Sequence, residues 1–119
     1  MAKSLTILLF SGAMMSMEAN VAVTLGETAL DMGHNVNLFL FGEAVTAAIK
    51  DQAPKRFPSL SEDLGRMVGK GLNIAVCSTC CLGRGIKEEY LIEGAKVGSL
   101  TEDFTDFMEE ADRLIMLGR

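Results

Sequence analysis

Short apolar runs alternate with segments whose apolar residues recur at helical spacing. Residues 5–10 (Leu-Thr-Ile-Leu-Leu-Phe) are almost continuously apolar, the pattern of a strand buried on both faces. Ser11-Gly12 ends that run, and Met14, Met15 and Met17 follow in a predicted loop. Val21, Leu25, Ala29 and Met32 then mark an amphipathic helix closed by Gly33. Residues 36–41 predict a second buried strand, and Gly42-Glu43 opens a short helix carrying Val45, Ala48 and Ile49. Pro54 and Pro58 place a loop over 52–58. Ser59 and Glu62 have capping-box spacing, followed by the apolar face Leu60, Leu64, Met67 and Val68, with Gly69 and Gly71 closing the helix.

Residues 72–76 form the third predicted strand, and it leads directly into Cys77-Ser-Thr-Cys80-Cys81. After Gly85 the pattern predicts a helix over 86–93, with Ile86, Tyr90 and Leu91 inward and Gly94 ending it. A short, weak strand spans 95–98. A second capping box, Ser99 to Glu102, opens a helix with the stripe Leu100, Phe104, Phe107, Met108 and Ala111, and residues 113–117 are the last strand. Strands alternating with helices imply a parallel sheet covered on both faces, an α/β fold in one domain over 1–119.

Composition narrows the function. The 119 residues are 49% hydrophobic and 23% charged, as in a globular chain with a real core. The net charge is -5, no basic block exists, Trp is absent and Tyr occurs once, which argues against direct nucleic-acid binding. No apolar run approaches the ~20 residues of a membrane span. The run after Lys3 falls short of the roughly 7–15 residues of a signal-peptide core. An odd cysteine count with adjacent Cys80 and Cys81 does not read as a disulfide framework, and a reducing cytoplasm fits better.

Most other chemistry is thinly represented. The first strand-to-helix turn lacks a glycine-rich phosphate loop, and Gly69-Lys-Gly71 and Gly83-Arg-Gly85 have turn spacing only. His34, the single histidine, reads as structural at a helix end. Glu88, Glu89, Glu93, Asp103, Asp106, Glu109 and Glu110 are expected on solvated helix faces. The methionines at 14, 15 and 17 suit packing, an interface or a pocket lining.

Three cysteines within five residues at a strand-to-helix junction leave three chemistries open. They are a persulfide carrier, a C-x-x-C redox pair of Cys77 and Cys80, and a metal-binding cluster. The cluster supplies three thiolates where a structural zinc site takes four ligands, so a metal would need a subunit interface. The junction is also where ligands meet open α/β sheets, and where backbone N–H groups favour a thiolate.

The stretch Cys77-x-x-Cys80-x-x-x-Arg84-Gly85 resembles the cysteine loop of the DsrE/DsrF-like sulfur-relay family. Residues 41–45, 91–97 and 110–116 are similar to it as well. The resemblance implies a three-layer α/β/α sandwich with a mainly parallel sheet of about five strands, related to flavodoxin-like and Rossmann-like folds. It also implies a trimer or hexamer of identical chains, a cytoplasmic setting, and donor and acceptor proteins that pass sulfur through their own thiols. By position it names Cys77 as the persulfide carrier, a sulfurtransferase-type role needing no cofactor. Cys80 matches a second thiol, resolving or relaying, present in part of the family, while Cys81 has no counterpart in the family pattern. Arg84 is the local cation expected to stabilise the anion and, with the strand-end position, to lower the Cys77 pKa. The alternative is a dithiol redox or metal-responsive binding protein using the same cluster.

Overall fold

The computed structural model of the chain describes residues 2–12 and 16–118. Met14 and Met15, expected in the first loop, lie outside the described residues. Strand β1 (Ser4–Leu9) leads to helix α1 (Met17–Asp31) and strand β2 (Asn35–Leu40). A 3-10 segment (Gly42–Ala48), helix α2 (Leu60–Gly69), strand β3 (Asn73–Cys77) and helix α3 (Ser78–Gly83) follow. A 3-10 turn (Glu88–Tyr90), strand β4 (Ala95–Gly98), a π turn (Leu100–Phe104) running into helix α4 (Thr105–Glu110), and strand β5 (Arg113–Leu117) complete the order. The five strands pair in the order β4-β3-β2-β1-β5, every neighbouring pair parallel. This is the α/β fold that the alternating runs predict.

The predicted serines cap their helices. Ser59 Oγ accepts from Glu62 N at 3.4 Å and Ser99 Oγ from Glu102 N at 3.0 Å. Gly33 follows α1 with φ +87, a conformation that an L side chain rarely adopts.

Helix α1 turns a different face inward from the one its larger apolar residues predict. Ala19, Ala22 and Gly26 are buried, whereas Val21, Leu25 and Met32 are exposed. The reason is close approach: a Cβ on Gly26 would lie 2.8 Å from Met67 Cε and 3.7 Å from Val36 Cγ1. Small residues let α1 settle onto β1, β2 and α2, and the bulkier stripe Met17, Val21, Leu25 is left outside. Ion pairs join the outer edges of the two helices, with Glu27 between Arg66 (2.7 Å) and Lys70 (3.1 Å). Arg66 first, then Lys70, holds the Glu27 carboxyl down at about 2.

The helix predicted over 86–93 does not form. The helix of this region is α3, which begins immediately after Cys77, and only Glu88–Tyr90 turns later. Backbone partners explain the difference. Lys50 N donates to Tyr90 O at 2.9 Å, Ile92 N donates to Ala48 O at 2.8 Å, and Leu91 bridges Ile49. Those groups are engaged across the chain and are not free for a local helix. Ile86 and Leu91 are buried as expected, but Tyr90 is exposed. In the last crossover Phe104 is buried against Phe39, with ring centroids 5.5 Å apart, while Leu100 and Met108 are exposed.

A polar row crosses the sheet centre, buried at Thr6 and Asn37 and exposed at Asn73. Thr6 stands opposite Asn37, and Asn37 opposite Asn73, so the three side chains share one face. Asn73 Nδ2 donates to Asn37 Oδ1 at 3.0 Å, and Asn37 Nδ2 donates to Thr6 Oγ1 at 3.4 Å and Glu110 Oε1 at 2.7 Å. Thr6 Oγ1 donates to Phe107 O at 2.8 Å. Thr6 and Asn37 have no exposed surface. The row therefore fixes three strands relative to one another and fastens α4 over them. Glu110, exposed as expected, nonetheless accepts from the row, while half-buried Asp103 departs from the solvated face expected of it. Asp103 accepts from Lys96 Nζ at 2.6 Å and from Ser99 N at 2.8 Å, which holds its carboxyl below the ordinary value, Lys96 being the larger cause. His34 has the structural role expected of it, its Nδ1 accepting from Lys3 N at 3.1 Å.

Two measurements test this account. Asn37→Leu should lower unfolding stability by about 1–3 kcal/mol, because buried partners lose their bonds; an unchanged urea midpoint would show that the row holds nothing. The Glu27 carboxyl is depressed in the folded state, so its contribution is complete above the unfolded value of 4.5 and is lost as pH falls through about 2. Glu27→Gln should therefore flatten the acid limb of the stability curve, and an acid limb identical to that of the parent would count against the pairing.

Candidate functional site

The site forms where three loops meet at the carboxyl edge of the sheet. Strand β3 delivers Cys77 to that edge, and the chain turns at once into α3. Cys77 is the N-cap of α3: its Sγ accepts from Cys80 N at 3.4 Å. Helix α3 is six residues long and ends at Arg84, after which Gly85 takes φ +69. Ile86 N then donates back to Cys81 O at 2.9 Å, so the buried Ile86 pins the far end of the loop. From the neighbouring strand, Gly42 N donates to Cys80 Sγ at 3.2 Å. From β1, the loop reaches the same place at Gly12, where a Cβ would lie 3.7 Å from Glu43 Cβ.

The three thiols are free and lie at different depths. Cys77 is 4% exposed, Cys81 is 3% exposed, and Cys80 is half-buried. Cys81 packs within the hydrophobic core. The Cys80 thiol is close enough to influence ionisation of Cys77. Burial is the largest influence on the Cys77 thiol and pushes it above its ordinary value, and the Cys80 thiol pushes the same way. The N–H groups of Cys80 and Thr79 oppose this without reversing it. Burial likewise pushes Cys81 up. The lowered Cys77 pKa expected from its strand-end position and Arg84 is therefore corrected: the sulfur is too deeply enclosed for those donors to win.

Arg84 is near the thiols but not free to serve them. Its guanidinium pairs with Glu43 and donates to Cys80 O at 3.1 Å. The pairing with Glu43 is the main reason its own pKa is raised. Arg84 thus ties α3 to the loop after β2, with its charge paired to Glu43. Gly42 and Glu43 read in the sequence as the opening of a short helix, not as site residues. The signal was a glycine directly after a buried strand, the position where a backbone N–H can turn outward. Among the described residues no three His, Cys, Asp or Glu side chains are placed to hold a metal ion.

Known proteins share the fold and family of this chain. The uncharacterized protein MJ0989 of Methanocaldococcus jannaschii is 41% identical over 88 residues, covering 74% of this chain and 76% of that protein. Protein YchN of Escherichia coli is 32% identical over 87 residues, 73% of this chain and 71% of its own. The crystal structure of the Escherichia coli YchN protein superposes with a TM-score of 0.80 at 26% identity, over 98% of this chain and 99% of that one. The conserved protein BT1422 of Bacteroides thetaiotaomicron shares the fold, with a TM-score of 0.74 at 19% identity, over 96% of this chain and 94% of its own. The sequence profile of the DsrE/DsrF-like family matches residues 3–117, and the chain belongs to that family.

Proposed function

We propose that the protein is a sulfurtransferase-type carrier that accepts and relays persulfide sulfur on its cysteine loop. The family is generally one of sulfur relay. The observation that carries the reading is the Cys77–Cys80 pair: two free thiols at either end of the first turn of α3, at the carboxyl edge, each sulfur met by a backbone N–H. Cys77 is the carrier named by family position, and Cys80 the relay thiol beside it. A persulfide is a stronger acid than its parent thiol, so N–H donors matter more once sulfur is loaded. Transfer proceeds by attack of an incoming thiolate on sulfur, the chemistry of thiol exchange. Donor and acceptor are protein thiols, and a reducing cytoplasm suits three unpaired cysteines. Among the described residues no helix is long and apolar enough to cross a membrane.

Assembly into a trimer or hexamer belongs to the same reading. Its support is surface: Met17, Val21 and Leu25 form an exposed apolar stripe on α1, and Leu114 and Met116 are exposed on the edge strand β5. The second reading, a dithiol switch, is favoured by the same C-x-x-C placement, two free thiols spanning the first turn of α3.

Intact mass separates the readings. After incubation with glutathione persulfide the carrier gains about 32 Da, whereas a switch loses about 2 Da as its thiols oxidise. The Cys77→Ser/Cys80→Ser double variant should do neither; loading of that variant would remove the pair from the mechanism. The raised Cys77 thiol has a further consequence. In a Cys80→Ser/Cys81→Ser background, alkylation of Cys77 should be slow near pH 7 and accelerate above about pH 9, as thiolate forms. Fast labelling already saturated near pH 7 would contradict the burial argument.

A further inference from the structure

The two thiols of the pair are not equivalent. A sulfur atom moves only when an attacking thiolate reaches it in line, so one member of the pair must be accessible to a partner. Cys77 is almost wholly enclosed, its sulfur turned under the first turn of α3. Cys80 is half-buried, and its sulfur is met by an N–H from outside its own helix, that of Gly42. Gly42 has φ +63, so it adopts there a backbone conformation that a side chain would strain. The next residue, Glu43, pairs with Arg84, and Arg84 also holds the carbonyl of Cys80. The amide that meets the Cys80 sulfur is thereby braced against the helix that carries it.

Building on the sulfur-relay reading, we propose that Cys80 is the port through which sulfur arrives and leaves, its anion held by the Gly42 amide, and that Cys77 is the sheltered store behind it. The Cys80 thiolate attacks the outer sulfur of a donor persulfide, R–S–SH. The donor S–S bond breaks, R–S⁻ departs, and Cys80 carries –S–SH. The Cys77 thiolate, whose sulfur lies against the Cys80 backbone N–H, then attacks that same outer sulfur. A new S–S bond forms on Cys77, and Cys80 returns to thiolate. The sulfane sulfur changes hands twice with no net oxidation, so neither oxidant nor reductant is required. Release runs backwards, through Cys80 to an acceptor thiolate. Buried Cys81 takes no part.

The test uses glutathione persulfide as donor and a Cys81→Ser parent. Two derived chains keep only Cys77 (Cys80→Ser) or only Cys80 (Cys77→Ser). Sulfur gain is followed by quenched intact mass. The Cys80-only chain should load at the parent's rate, and the Cys77-only chain about tenfold or more slowly. Sulfur on the Cys80-only chain should be stripped by dithiothreitol about tenfold faster than from the parent, where it has moved inward. Gly42→Ala should slow loading of the Cys80-only chain and leave the slow Cys77-only rate unchanged. Unfolding midpoints are taken on every variant, and Cys80→Ala is run beside Cys80→Ser to exclude an effect of the hydroxyl. If the Cys77-only chain loads at the parent's rate, the port assignment falls and the relay reading stands. Equal stripping from the parent and the Cys80-only chain, or hydrosulfide release with closure of a Cys77–Cys80 disulfide, overturns the inward transfer. If the parent takes up no sulfur, both readings fall together.

Discussion

The hydrogen-bonded row Thr6–Asn37–Asn73 fixes what the rest of the molecule depends on, the register of its three central strands. A slip of one residue would turn each of these polar groups to the opposite face and leave buried donors and acceptors without partners. Apolar side chains alone do not impose that penalty, since Leu, Ile and Val exchange places cheaply. The register reaches the far end of the strands. With Leu40 held opposite Val76, the chain leaves β2 at Gly42 and β3 at Cys77 at nearly the same level. A shift of about 3.3 Å, one residue of strand, would carry the Gly42 amide beyond reach of the Cys80 sulfur. The geometry of the cysteine loop at one edge of the sheet thus rests on Thr6 and Asn37, buried near the other.

The topology also explains the uneven surface. Three crossovers advance from β1 to β4, and one long return brings the chain from β4 back past the others to β5. The return carries only a π turn and the six-residue α4, which cover the sheet around Phe39 and the polar row. Leu114 and Met116, on the strand farthest from β4, keep exposed apolar surface. Helix α1 contributes in the same direction, because its packing face is built from Ala and Gly and its larger side chains face out.

Much of this was legible in the residues. Continuous apolar runs marked the strands, serine with glutamate three residues on marked two helix starts, and cysteines at a strand end marked the site. What was not legible has common causes. Size misleads where close approach decides: Gly26 excludes bulk, so the small face of α1 won over the Val21–Leu25 stripe. Local periodicity misleads where backbone groups find distant partners, as residues 90–92 do with Ala48 to Lys50. Depth is not written in spacing, so burial of Cys77 outweighed the donors that its position suggested. The polar row did leave a trace, one polar residue near the start of each of three apolar strands, but its meaning needed the register.

Cys77 caps α3 with a sulfur atom. Sulfur is a weak acceptor, and serine, asparagine or aspartate at that position would hold the first turn more firmly. The helix is retained instead from its other end, by Ile86 and Arg84. The fold therefore accepts a poorly anchored first turn at the place where the Cys77 sulfur sits. Serine at 77 would firm the first turn of α3 while removing the sulfur on which the proposed relay depends, so at this one position folding and the proposed chemistry ask for different residues.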